Sequence, residues 1–271
     1  MTSSADSPAQ AAPGPSYTHR ARLFRLRVAL MALPAILGMA YQSWIAPRLG
    51  SGHARRTRHA IPRALSAAFL RLNGIRSRLD GAEHLAATSG RPRLLMVNHN
   101  SRFDGYILMA LMDMPFKAFW SNTAHITTEH FGLVSKVGRV FDLYFVHDKS
   151  DKRLTLAEFR RAEKYLAQGE TLSVFPEGTF SSDGQVRGFG SSCVGLAMRA
   201  GAVIVPVVMA DSELTFERPS GHGEPKVVRL RVLPPVLTEG LGRQDIARVT
   251  AELEASMNSQ LREMHAERLC Q

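Results

Sequence analysis

Apolar positions along this chain fall into two alternating spacings. Short apolar runs at Leu94–Val97, Leu143–Val146, Thr171–Phe175, Val203–Met209 and Val227–Leu233 have the length and β-branched content of buried strands. Between them the spacing becomes helical: Tyr106–Met112, Leu154–Leu166 with Leu156, Phe159 and Leu166 in phase and a stop at Gly169, and Ser191–Arg199. From Asp245 onward Ile246, Val249, Leu253, Met257, Leu261 and Met264 mark one face of a C-terminal amphipathic helix. Strands alternating with helices predict an α/β domain, in which ligands bind beyond strand ends where loops converge.

The region before the first strand follows a different pattern. Residues 1–19 are rich in Ser, Ala and Pro and read as a disordered lead-in. Residues 20–75 read as a basic, apolar helical segment, and 76–271 as the α/β domain. Within the segment, Arg20, Arg22, Arg25 and Arg27 precede the uncharged span Val28–Pro47, and a helix follows around Ile61–Leu72. That span is long enough as a helix to match a hydrocarbon core of about 30 Å, although Pro34, Gly38 and Gln42 interrupt it. Three readings compete: a signal peptide, a plain buried helix, and a membrane-inserted or interfacial hairpin. The hairpin is favoured because a second basic stretch, Arg55-Arg56-Thr57-Arg58, follows the span and Tyr41 and Trp44 suit an interface.

Charge and cysteines narrow the classes. A formal net charge of +10 favours an anionic partner, either nucleic acid or an anionic bilayer. No nucleic-acid-binding motif is present, so the bilayer is expected and nucleic acid is not. Two cysteines, Cys193 and Cys270, indicate no disulfide framework.

The chemistry-bearing residues cluster at two strand ends. His99 and Asp104 lie in Val97-Asn98-His99-Asn100-Ser101-Arg102-Phe103-Asp104-Gly105, after the first strand. A histidine removes a proton from an alcohol near neutral pH, and a nearby carboxylate fixes its tautomer and stabilises the imidazolium. Ser101 and Asp104 also fit a helix-start box, with Ser101 capping and Asp104 reaching back. A second signal, Phe175-Pro176-Glu177-Gly178-Thr179, follows another strand. No Gly-x-Ser-x-Gly elbow occurs, so a serine nucleophile is not indicated. An acceptor that brings its own hydroxyl needs none.

With these two blocks the chain resembles the glycerolipid acyltransferases that include 1-acylglycerol-3-phosphate O-acyltransferase. That family's second block, glycine-x-x-phenylalanine-x-x-arginine, is placed on Gly138, Phe141 and Tyr144, and its fourth on Val203-Ile204-Val205-Pro206-Val207. The resemblance implies a single mixed-sheet α/β acyltransferase domain with flanking helices and an N-terminal membrane-associated segment, on the cytoplasmic face of the inner membrane. It implies His99 as general base, Asp104 as its partner, and Asn98, Ser101, Phe175, Pro176, Glu177, Gly178, Thr179, Phe180, Tyr144 and Pro206 around the substrates. The implied donor is acyl-CoA or acyl carrier protein, with no cofactor or metal. The implied acceptor is a lysolipid.

Two positions depart from the family pattern. Arginines tied to the acceptor phosphate are replaced by Tyr144 and Phe180, and aromatic rings cannot make charge-assisted bonds to a phosphate. An acceptor other than a phosphate monoester follows, such as a zwitterionic lysophospholipid or the lysolipid of the similar lyso-ornithine lipid acyltransferases. The run Gly178–Gly184, with Phe189 and Ser191-Ser192, looks closer to that branch. Lys149, Lys152, Arg153 and Arg187 could instead replace the missing charge. A thioesterase using water as acceptor is the more distant alternative.

Two further motifs were weighed. His125–His130 has three residues between His125 and Glu129 where the zinc motif has two, and Gly178, Gly184, Gly188 and Gly190 read first as turn glycines. For the oxyanion formed in acyl transfer, amides of the first block or of Gly178 are the expected donors.

Overall fold

The computed structural model describes residues 15–101, 103–121, 132–147, 150–179, 181, 185–186, 188–216 and 227–269. Its centre is a seven-stranded sheet: β1 (Arg76–Asp80), β2 (Arg93–Val97), β3 (Lys117–Ser121), β4 (Tyr144–His147), β5 (Thr171–Val174), β6 (Val203–Ala210) and β7 (Val227–Val232). The spatial order is β1-β7-β6-β2-β5-β3-β4. All neighbours pair in parallel except β6 with β7, so the sheet is mixed.

The central strands are apolar throughout because both of their faces are covered. In β2, Leu94 and Met96 enter one core while Leu95 and Val97 enter the other; β6 splits Ile204, Val208 and Ala210 from Val203, Val205, Val207 and Met209 in the same way. The first core is closed by α6 (Lys152–Ala167), α7 (Ser191–Arg199) and α9 (Ile246–Leu269). The second is closed by α2 (Ser51–Leu72) and α4 (Asp104–Leu111), through Phe69, Leu70, Ile107 and Leu108. On α9, Val249, Leu253, Met257, Leu261 and Met264 are all buried, as their spacing predicts.

Several elements escaped the sequence reading. Strand β1 is only half apolar, an edge strand of Arg-Ser-Arg-Leu-Asp that pairs on one side alone. Strand β3 and the helices α3 (Ala82–Ala87), α5 (Gly132–Val140) and α8 (Ser212–Phe216) are short, and tertiary packing decides them.

The N-terminal segment is a helical hairpin. Helix α1 (Pro15–Ala40) begins inside the stretch expected as a lead-in, and α2 begins at Ser51, ten residues before the expected start, so Arg55–Arg58 are helical too. Between them a wide π turn (Tyr41–Ile45), a tight 3-10 turn (Ala46–Leu49) and Gly50 at φ 103° reverse the chain. Gln42, which interrupts the apolar run, is buried and holds the hairpin together. Its Nε2 donates to the Ala54 carbonyl at 3.1 Å, and Thr57 Oγ1 donates to its Oε1 at 2.8 Å.

Register places this hairpin against the sheet. Arg55 pairs with Glu170, just before β5, while Phe69 stacks on Phe103, just before α4. Helix α2 thus runs from the N-terminal to the C-terminal ends of the parallel strands. In α1, a Cβ on Gly38 would come within 2.9 Å of Ile61 Cγ2, a close crossing that fixes the level of the two helices. At a rise of about 1.5 Å per residue, residues 15–26 of α1 extend roughly 18 Å past the end of α2, on the side where β2 and β5 end. Leu26, Leu30, Leu33, Ile36, Leu37, Trp44, Ile45 and Leu49 are exposed along this segment.

Candidate active site

Strand β2 ends because asparagine side chains take over its ladder. The last β2–β6 register pair is Val97 with Val207, so the next inward row would pair His99 with Met209. Instead Asn98 Nδ2 donates to the Met209 carbonyl at 2.9 Å and Asn98 Oδ1 accepts the Met209 N–H at 2.7 Å. Asn100 Nδ2 adds a bond of 3.0 Å to the same carbonyl. Both amides are fully buried. They flank His99 and anchor its loop to β6 while leaving the His99 peptide for other partners.

Those partners come from the loop after β5. Glu177 Oε1 accepts the His99 N–H at 2.9 Å, and the His99 carbonyl accepts the Ser181 N–H at 2.7 Å. The loop is shaped by Gly178, whose φ of 66° favours glycine and whose N–H closes a turn onto the Phe175 carbonyl. Phe175 stacks on the imidazole, with ring centroids 4.1 Å apart. Pro176 is buried, and its carbonyl accepts the Gly190 N–H at 2.8 Å.

Asp104 Oδ2 accepts three hydrogen bonds: from His99 Nδ1 at 2.9 Å, the Asn100 N–H at 2.7 Å and the Ser101 N–H at 2.8 Å. The carboxylate is 0% exposed and the histidine side chain 20%. The helix-start box is therefore half formed. Asp104 does reach back to Ser101, but Phe103 is the cap, and Ser101 Oγ takes the Phe103 N–H at 3.2 Å. A carboxylate on Nδ1 places the ring proton there and leaves the lone pair of Nε2 to act as base.

This geometry corrects several expectations. Asn98 and Ser101, expected around the substrates, are fully buried, with their side chains bonded to the backbone of Met209 and of Phe103. Pro206 lies within β6 opposite Met96, away from the loops, and accepts the Leu233 N–H. Tyr144 shares a row with Ala118, Ser173 and Leu95, four residues short of His99 and three strands across. That is about 13 Å along the strands and about 14 Å across them from His99.

The second block also shifts register. Gly138 sits inside α5, under the Tyr144 ring, whereas the left-handed residue is Asp142, at φ 55°. A block that needs glycine at its first position fits Asp142, Phe145 and position 148, and position 148 is Asp148. Lys149, Asp148, Phe180, Arg187 and the His125–His130 motif lie outside the described residues.

The expected oxyanion donors are occupied. The amides of His99, Asn100 and Ser101 donate to carboxylates, those of Phe103 and Asp104 to Ser101, and that of Gly178 to Phe175. Thr179 is exposed and has no hydrogen bond among the described residues, so its N–H and hydroxyl are donors open on this loop. The amides of Gly188 and Phe189 are held by Glu254 of α9, so that stretch binds a carboxylate of its own chain.

A polar network behind the site had no sequence signal. Asp211, Glu213 and His265 bring oxygen and nitrogen atoms within 4.8 Å of one another. Both Asp211 oxygens face guanidiniums, Arg229 Nε at 2.8 Å from Oδ2 and Arg268 Nη1 at 3.6 Å from Oδ1, so the cluster is an ion-pair network with its charge already met. Burial, reinforced by Asp211 and Asp104, raises Glu213 above the usual carboxylate range. The folded state then keeps a proton that the unfolded state has lost, and stability falls as pH rises from about 4.5 through the folded value. Glu213→Gln removes this pH dependence, so its melting temperature relative to wild type is expected to rise between pH 4.5 and pH 7.5 in thermal scans, and a constant difference would remove Glu213 as the cause. His265, lowered mainly by burial and facing Glu213 at 3.9 Å, titrates in the opposite sense, losing stability as pH falls.

A histidine backed by a buried carboxylate thus sits at the loop end of a mixed α/β sheet. Residues 76–210 match the family model described as Acyltransferase. The 1-acyl-sn-glycerol-3-phosphate acyltransferase alpha of Mus musculus is 27% identical over 205 residues, 73% of this chain and 68% of that protein. Its Homo sapiens counterpart is 27% identical over 199 residues, 71% of this chain and 66% of that one. The 1-acyl-sn-glycerol-3-phosphate acyltransferase of Limnanthes alba is 23% identical over 171 residues, 62% of this chain and 57% of that one. The crystal structure of the 1-acyl-sn-glycerophosphate (LPA) acyltransferase PlsC from Thermotoga maritima superposes with a TM-score of 0.66 at 18% identity. It covers 90% of this chain and 98% of its own, and so shares the fold. The chain belongs to the glycerolipid acyltransferase family.

Proposed function

We propose that the protein moves a fatty acyl group from an acyl thioester, acyl-CoA or acyl carrier protein, to the hydroxyl of a lysolipid. The observation that carries this is the His99 Nδ1 to Asp104 Oδ2 bond, which sets Nε2 as a general base. Nε2 takes the acceptor proton as the hydroxyl oxygen attacks the thioester carbonyl. The tetrahedral oxyanion collapses, the carbon–sulfur bond breaks, and the imidazolium returns its proton to the leaving thiolate. Asp104 stabilises the imidazolium in between. Thr179 supplies a donor to the oxyanion.

The relatives' names support 1-acylglycerol-3-phosphate as acceptor. A second reading, a zwitterionic or amino-acid-based lysolipid, is favoured by the family's arginine positions. These hold Phe180 and either Tyr144 or, in the register set by Asp142, Asp148. An aspartate there repels a phosphate and suits an ammonium group. The exposed stripe of α1, flanked by arginines, supports an interfacial helix that meets the membrane beside the catalytic end of the sheet. Among the described residues one helical stretch, Ala29–Leu49, is long and apolar enough to cross a bilayer, but the reversal at Gly50 and the Gln42 interlock favour a hairpin on one side.

The test is an acyl-transfer assay on detergent-solubilised protein with labelled acyl-CoA and acyl carrier protein. Lysophosphatidic acid, zwitterionic lysophospholipids and lyso-ornithine lipid are offered in parallel. Label in phosphatidic acid supports the first acceptor. Label confined to another lipid supports the second, and free fatty acid alone makes the protein a thioesterase.

A further inference from the structure

We propose that Glu177 is a positioning residue that holds the peptide of His99, and is not a contact to the acceptor lipid. The inference rests on the reading of His99 as base. Placed in the third block of the resemblance, Glu177 was expected at the acceptor, and its charge alone would fit a cationic headgroup. The geometry assigns it elsewhere. Its Oε1 lies 2.9 Å from the His99 nitrogen, within a loop whose Ser181 N–H binds the carbonyl of the same residue at 2.7 Å.

Anchors therefore converge on one residue from β6, from the start of α4 and from the loop after β5. Asn98 and Asn100 tie its neighbours to Met209 of β6, Asp104 holds its ring, and Glu177 with Ser181 holds its peptide from the loop after β5. Each removes a different freedom. The asparagines fix where the loop leaves the sheet, and Asp104 fixes rotation of the ring about its bond to the chain. Among the described residues, the loop after β5 holds both the N–H and the carbonyl of His99 and so fixes the direction from Cα to imidazole.

That loop also carries Phe175, stacked on the imidazole, and Gly178-Thr179. Glu177 thus couples the base to the segment that meets the substrates, so a base and its acceptor are set relative to each other by one hydrogen bond. A carboxylate suits this role because its bond to a peptide N–H is stronger than that of a neutral acceptor. An acceptor oxygen is all the geometry requires, and a glutamine carbonyl supplies one.

The two roles separate in kinetics. Glu177→Ala and Glu177→Gln are compared with wild type in the full-length solubilised protein, with kcat and KM measured for donor and acceptor. Misplacing a reacting group by about 1 Å lowers rate by about 100-fold, so Glu177→Ala is expected to lose about that factor in kcat with acceptor KM within about twofold. Glu177→Gln is expected to recover kcat to within about fivefold of wild type, since it keeps the acceptor oxygen. A rise of about tenfold or more in acceptor KM in both variants, with kcat unchanged, would overturn the proposal in favour of a headgroup contact. So would a Glu177→Ala protein with wild-type kcat.

A readout without substrate keeps the test independent of the reaction. Carbethoxylation of the His99 imidazole by diethyl pyrocarbonate, followed by mass spectrometry, is expected to speed up several-fold in Glu177→Ala and to match wild type in Glu177→Gln. Equal rates in all three proteins would overturn the positioning role. If wild type transfers no acyl group to any lysolipid, the functional reading falls while this measurement still decides the role of Glu177.

Discussion

Replacing His99 with alanine is expected to lower turnover at least about 1,000-fold while leaving the fold and membrane attachment in place. General base catalysis by a positioned side chain contributes typically about 10²–10⁴-fold. Here the histidine is also the point on which Asn98, Asn100, Asp104 and Glu177 converge. Its side chain is partly exposed, stacks on Phe175 and belongs to neither apolar core, so truncation removes little core packing. The backbone bonds to Glu177 and Ser181 do not need the ring and persist in alanine. The measurement is transfer of labelled acyl groups from the preferred thioester, beside a vesicle-flotation assay. A variant with activity within tenfold of wild type would remove His99 from the mechanism.

Asp104→Asn should separate charge from shape. One oxygen of the buried carboxylate accepts all three bonds, and an asparagine carbonyl placed there can accept the same three. The new NH2 then occupies the Oδ1 position, which is buried with no hydrogen-bond partner among the described residues. Burying an unsatisfied donor costs about 1–3 kcal/mol, so a drop of several degrees in melting temperature is expected. The larger effect is on kcat. A neutral amide cannot stabilise the imidazolium in a site with little solvent, so turnover should fall about 10²–10⁴-fold. Asp104→Ala orphans three donors at once and should be less stable than Asp104→Asn. Equal kcat in Asp104→Asn and wild type would reduce Asp104 to a helix-start residue.

The role of each conserved-looking letter in a short block cannot be read from its spacing. In Asn98-His99-Asn100-Ser101, the reactive residue and its clamps are all polar and differ only in where the sheet sends them. Asn98 and Ser101 read as substrate contacts because nothing local shows that they are buried against Met209 and Asp104. Glu177 read as an acceptor contact for the same reason: its partner is 78 residues away in sequence. The second block misled in another way. A glycine at the right spacing from a phenylalanine was present at Gly138, but the left-handed turn that gives such a glycine its purpose is made by Asp142.

What the sequence by itself determined about this protein is periodic and chemical. The doubly covered strands β2 and β6, the helices α6, α7 and α9, and the His99–Asp104 pair were all legible, because an apolar run, a helical stripe and a five-residue separation are local properties. Tertiary structure alone decided what those properties touch. It set β1 and β3 at places their weak patterns do not announce, and turned an apolar span with an awkward Gln42 into a hairpin interlocked by that glutamine. It removed Tyr144 and Pro206 from the site and built the Asp211–Glu213–His265 network behind it. The physical reason is the same in each case. A polar side chain carries its chemistry in its own atoms, but its role depends on burial and on a partner that only the packed sheet brings within hydrogen-bond distance.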